Sequence, residues 1–140
     1  MGEWRTGLGP VKAVDTNIIV RYVTQDDPVQ SPVAEHFLLT QDCFIADTVL
    51  LETAWVLRSS YRMPRSDLAA TLKDVLRLPS VSVMNRDLVE WAIDRFAAGA
   101  DFADMMHILG GRDTDGFISF EAKLADLAGS SSPIPVETLA

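Results

Sequence analysis

Along the chain, short apolar runs alternate with longer stretches in which apolar residues recur at helical spacing. Val11–Val14 reads as a strand ending at Asp15, and Asn17–Val23 as a short helix broken by Asp26-Asp27-Pro28. In Pro32–Leu39 the apolar Val33, Ala34, Phe37 and Leu38 form the stripe of an amphipathic helix. Cys43–Ala46 is a second strand candidate, and Asp47 or Thr48 caps a helix running to about Arg58. Ser66 caps the next helix, which carries Leu68, Ala69, Leu72, Val75 and Leu76 on one face and stops at Pro79. Val81–Met84 is a third strand. A helix over Asp87–Ala98 closes at Gly99, and another over Asp101–Leu109 ends at Gly110-Gly111. Gly116–Phe120 is a fourth strand and Glu121–Leu127 the last full helix. A Gly-, Ser- and Pro-rich loop, Gly129–Pro135, leads into a fifth strand candidate, Ile134–Val136.

This order, with short connections, predicts an α/β fold: a three-layer α/β/α sandwich around a mostly parallel central sheet. No repeat, charge block or linker interrupts it, so residues 11–140 read as a single domain. Met1–Pro10, with its glycines and proline, reads as a disordered or non-native extension.

Composition narrows the classes. Of the 140 residues 48% are hydrophobic and 23% charged, which excludes a low-complexity chain. No apolar run approaches the roughly 18 residues of a membrane span, so no membrane partner is expected. The one cysteine, Cys43, permits no internal disulfide. With no apolar signal core in Met1–Pro10, it predicts a cytoplasmic location. A net charge of −8 excludes a protein that coats nucleic acid by charge alone. It leaves open an enzyme that gathers carboxylates around a cation.

In parallel α/β sheets, ligands collect beyond the carboxyl ends of the strands, and acids stand there. Asp15 follows the first strand. It serves either as a helix cap or, if Thr16 or Asn17 caps instead, as a free ligand. Glu121 holds the equivalent place after the fourth strand, where an exposed first-turn acid is also ordinary. Glu52 lies inside Val49–Leu57, apolar on nearly every side, so its carboxylate is expected to be substantially buried and to need a cation or an arginine, the alternative being a carboxylate at the helix's edge. Asp101 and Asp104 share a helix face. Asp101 reads as its N-cap, whereas capping explains Asp104 poorly.

Asp15, Glu52, Asp104 and Glu121 thus form an all-oxygen constellation that suits Mg²⁺, with Mn²⁺ as the alternative, over zinc. His107 reads as a packed helical histidine rather than a ligand. Asp104-Met105-Met106-His107 is half of a carboxylate–x–x–His motif that needs two copies. Asp113-Thr114-Asp115-Gly116 opens like a calcium loop but has its glycine too early and lacks the closing glutamate. Arg21, Arg58, Arg62, Arg65 and Arg112 are candidates to line a substrate groove, each equally readable as a solvated surface residue.

Asp15-Thr16-Asn17 after a short strand resembles the opening of PIN-domain ribonucleases, particularly VapC-type toxins of bacterial toxin–antitoxin pairs. The match continues through Arg21-Tyr22, Asp26-Asp27-Pro28, Glu52 in its apolar helix, Ala100-Asp101-Phe102-Ala103-Asp104 leading to His107, and Ser119-Phe120-Glu121-Ala122-Lys123-Leu124. It covers about Lys12 to Val136. The chain departs from the family at Glu121, where aspartate is usual, and at Gly110-Gly111, where alanine-rich sequence is usual. The resemblance implies a PIN-like domain and a Mg²⁺-dependent endoribonuclease in which Asp15 and Asp104 hold the metal. Glu52 and Glu121 complete the catalytic acids, and Asn17 positions phosphate or water. It further implies an RNA substrate such as tRNA or rRNA, a cognate antitoxin and a homodimer. The competing classes are a receiver-like phosphoacceptor domain and a non-catalytic Mg²⁺- or antitoxin-binding module. The first needs paired acids after strand one, and Asp15 stands alone there.

Overall fold

Parallel strands cannot be joined by tight turns, so the first half of the chain is built of helical crossovers. A computed structural model describes residues 9–140. The first eight residues of the expected Met1–Pro10 extension lie outside the described residues. Two compact units divide the chain, one running through Arg86 and the other covering Asp87–Ala140.

In the first unit the order is β1 (Lys12–Ala13), α1 (Thr16–Thr24), α2 (Gln30–Thr40), β2 (Cys43–Phe44), α3 (Asp47–Ser59), α4 (Arg65–Leu76) and β3 (Val81–Ser82). The strands form one parallel sheet in the order β1-β2-β3, with Lys12 opposite Cys43 and Cys43 opposite Val81. Each is shorter than the apolar run that predicts it. The ladder continues one residue beyond the strands, through Val14 N–H to Phe44 O and Ile45 N–H to Ser82 O, both on the way to a helix start. Gln25, at φ 54°, closes α1 with its N–H on Arg21 O. Asp27 then starts α2: its Oδ1 accepts from the N–H groups of Val29 and Gln30 at 2.9 and 2.7 Å. This cap places Pro32 in the first turn, where its missing N–H costs nothing. Ile19, Leu38, Ile45, Leu57 and Leu72 are among the fully buried side chains. Cys43, on the middle strand, is completely buried and donates its thiol to Gln41 O.

In the second unit α5 (Arg86–Ala97), α6 (Phe102–Gly110), β4 (Phe117–Ser119), α7 (Leu124–Ala128) and β5 (Val136–Thr138) follow in order. α5 stops as its sequence predicts: Gly99 takes φ 123° and donates to Phe96 O. β4 and β5 pair in parallel, Phe117 opposite Val136. The last strand lies two residues later than the Ile134–Val136 expectation. Pro133 and Pro135 have no N–H to give a ladder, and pairing begins once Pro135 is passed. The last helix is also later and shorter than Glu121–Leu127, because Glu121 N–H turns back onto Ser119 Oγ at 2.9 Å. Arg95 closes α7 by donating Nε to Leu127 O at 2.7 Å. Gly129, at φ 78°, lies directly beneath it, and a Cβ there would meet the guanidinium carbon at 3.0 Å.

The architecture is mixed α/β with short parallel strands, and its described strands pair as two groups rather than as one continuous ladder. No helix among the described residues is long and apolar enough to cross a membrane.

Candidate active site

The first unit brings two of the four acids together. Asp15 leaves β1 with extended backbone (φ −82°, ψ 159°) and caps α1, its Oδ1 accepting from Thr16 N–H at 2.8 Å. Of the two roles open to it in the sequence, one carboxylate oxygen takes the cap. Neither Thr16 nor Asn17 does so. Thr16 itself is buried, and its hydroxyl donates to Glu52 Oε1 at 2.5 Å. That separation is typical of a charge-assisted O–H to carboxylate bond. One residue therefore touches both carboxylates, one through its backbone and one through its side chain.

Glu52 is not buried, contrary to expectation; it is exposed. The buried stripe of α3 is Leu50, Thr53, Ala54 and Leu57, and Glu52 lies off it. Its apolar neighbour Trp55 is 67% exposed, so the apolar sequence around Glu52 covers more of the helix than the core uses. Its partner is Thr16 rather than a cation-bearing side chain. Asn17, the residue after Thr16, is exposed. It lines a groove of about 260 Å³ between α1 and α2 together with Arg21, Val29, Gln30 and Val33.

The second unit brings the other two acids into electrostatic range. Asp101 caps α6 as expected, its Oδ2 accepting from Asp104 N–H at 3.0 Å. Asp104 is half-buried on the first turn. Burial holds its carboxyl above the usual carboxylate range, and the charges of Asp101 and Glu121 push the same way against an opposing pull from His107. Glu121 is exposed in the turn after β4 rather than on a helix. His107 is exposed, not packed as the sequence suggests. Among the described residues, no group of three or more His, Cys, Asp or Glu side chains is gathered as a metal-holding cluster.

The groove arginines are largely committed locally. Arg21 pairs with Asp26 at 3.1 Å and also donates to Gln30 and to the Tyr61 hydroxyl. Tyr61 in turn donates to Asp26 at 2.6 Å. This bond first, then that from Thr24, holds the Asp26 carboxyl below its usual range. Arg58 donates to Met63 O and Arg112 to Leu109 O. Arg62 is exposed with φ 55°, and Arg65 is half-buried at the start of α4.

Two features escape the sequence. The Tyr61–Asp26–Arg21 cluster joins residues 35 and 40 positions apart, which no local pattern announces. Thr16 carries a local signal, a hydroxyl beside a strand-end aspartate, but its partner comes from α3. Compared with known proteins, the sequence matches no family model and no curated relative.

Proposed function

We propose that this chain is a Mg²⁺-dependent endoribonuclease with the three-layer PIN-like architecture, acting as the toxin of a toxin–antitoxin pair. The observation that carries the reading is the joining of Asp15 and Glu52 through Thr16 at the carboxyl end of β1, where α/β proteins bind ligands. The ordered motif resemblance and the electrostatic grouping of Asp104 with Glu121 support it.

The donor chemistry suits a hard divalent cation, all of it carboxylate oxygen. Asp104 in particular is an acid whose ionisation is disfavoured first by burial and then by its like-charged neighbours, and a bound cation would offset both. By the motif resemblance, Asp15 and Asp104 would each ligate Mg²⁺, and the ion would supply Lewis acidity toward the scissile phosphodiester. Glu52 or Glu121 takes the proton of the attacking water. Asn17, two residues after Asp15 and exposed on the α1–α2 groove, orients phosphate or water through its amide. The 2′-hydroxyl has no part, so products carry 5′-phosphate and 3′-hydroxyl ends.

The net charge of −8 places RNA binding on local contacts rather than on the overall field. Exposed Val29 and Val33 provide apolar surface for the antitoxin and for a second copy.

Inducible bacterial expression of wild type, Asp15→Asn and Asp104→Asn, with 5′-end mapping of total RNA, tests the proposal. Growth arrest with discrete new 5′-phosphate ends is expected for wild type only. Ends derived from 2′,3′-cyclic phosphate overturn the mechanism. Unchanged growth and RNA, with folded wild-type protein present, overturn the nuclease reading.

A further inference from the structure

We infer that Thr16 is the positioning residue of the catalytic carboxylates, fixing Glu52 through its hydroxyl while its backbone N–H fixes Asp15. The inference rests on the nuclease reading and concerns how that site is held.

Glu52 is an exposed glutamate on α3. Such a side chain has three rotatable bonds, and in water it samples many orientations. A proton acceptor serves a reaction only when it is held within hydrogen-bond reach of the proton it takes. Thr16 supplies the restraint. It is 5% exposed and β-branched, so burial leaves its χ1 few rotamers. Its hydroxyl reaches Glu52 Oε1 at 2.5 Å. As the donor, the hydroxyl occupies one lone pair of one carboxylate oxygen and leaves the other oxygen available to a proton.

The same residue gives Asp15 Oδ1 its N–H at 2.8 Å. The separation of the two carboxylates is thus set across a single residue rather than by two independently mobile side chains. Helix α1 fixes that residue in turn, because Thr16 is its first residue and Ile19 and Val20 anchor the following turn in the core. Position 16 therefore separates two functions chemically: the backbone bond to Asp15 survives any side chain, whereas the bond to Glu52 needs a hydroxyl.

The test uses wild type, Thr16→Val, Thr16→Ser, Glu52→Gln and the Thr16→Val/Glu52→Gln double variant. Valine keeps the volume and branching of threonine and removes only the donor. RNA cleavage by purified protein in Mg²⁺ is expected to show kcat lowered roughly ten- to a hundredfold in Thr16→Val, with KM nearly unchanged, the scale of a misplaced catalytic group. Thr16→Ser restores kcat to within a few-fold of wild type. In the Glu52→Gln background, Thr16→Val produces little further loss, because the group it positions is already disabled.

A second readout needs no metal and no RNA. Urea unfolding of the metal-free proteins, with Glu52→Ala in place of Glu52→Gln because glutamine keeps an acceptor oxygen for the Thr16 hydroxyl, is expected to show coupling between the two substitutions, which unconnected sites do not show.

Full kcat in folded Thr16→Val, or an equal loss in both backgrounds, overturns the inference while leaving the nuclease reading intact. A wild type inert toward RNA overturns the nuclease reading and with it the catalytic part of Thr16. Additive unfolding effects then also remove the link to Glu52.

Discussion

Asp104 carries its charge against its surroundings. Burial, Asp101 and Glu121 all favour its neutral form, and His107 opposes them. Its folded-state pKa therefore lies above the unfolded value. The stability it contributes is complete below the unfolded carboxylate pKa and is lost as pH rises through the folded one. Asp104→Asn, neutral at every pH, should melt above wild type at neutral pH in metal-free buffer, by on the order of 1–3 °C. The two should melt together once the pH falls below the carboxylate range. Thermal scans across pH check this; a lower melting temperature for the variant at neutral pH would show the charged form to be stabilised instead. A shift in this direction is consistent with the place Asp104 takes in the proposed site. That Asp101 rather than Asp104 caps α6 was legible in the sequence. The environment of Glu52 was not legible. Its apolar neighbours implied burial, and only the fold reveals that Trp55 and Glu52 face outward.

At the scale of elements, α3 shows why pattern alone misleads. Its core stripe, Leu50, Thr53, Ala54 and Leu57, contains a threonine, whereas apolar Val49, Leu51 and Trp55 lie off the stripe. Thr53 tolerates burial because its hydroxyl bonds back to Val49 O at 2.7 Å. Leu57→Ala should therefore cost about 2–5 kcal/mol, the range for a buried leucine, while Trp55→Ala should stay within about 0.5 kcal/mol. Urea unfolding midpoints separate the two, and a large loss from Trp55→Ala would mean that its ring is covered. Helices with one clear apolar face, such as α4, were readable in place and in the face they bury, although Ser66 lies inside α4 and Pro64 stands at its cap. The strands were readable in place but not in length. Their apolar runs mark the buried segment, whereas paired residues are fixed by the neighbouring strand and by prolines that cannot donate. The late start of α7 was hidden as well, because Ser119 captures the Glu121 N–H that a helix beginning there would direct inward.

For the whole molecule, the alternation of apolar runs and helical stretches announced the class of fold and little about its pairing. A net charge of −8 and a single cysteine are properties of the entire chain. The sheet order β1-β2-β3, by contrast, depends on residues more than thirty positions apart. That long reach has a consequence at Cys43. The thiol sits on the central strand, with no exposed surface and a pKa raised chiefly by burial. A thiol reagent can touch it only when the first unit opens far enough to uncover β2. Labelling of the native protein should run at least about a hundredfold slower than in urea, followed by absorbance or mass, and rapid labelling without denaturant would show that β2 opens freely. With no second cysteine to blur the signal, the chain holds its own stopwatch for the opening of the sheet from which Asp15 projects.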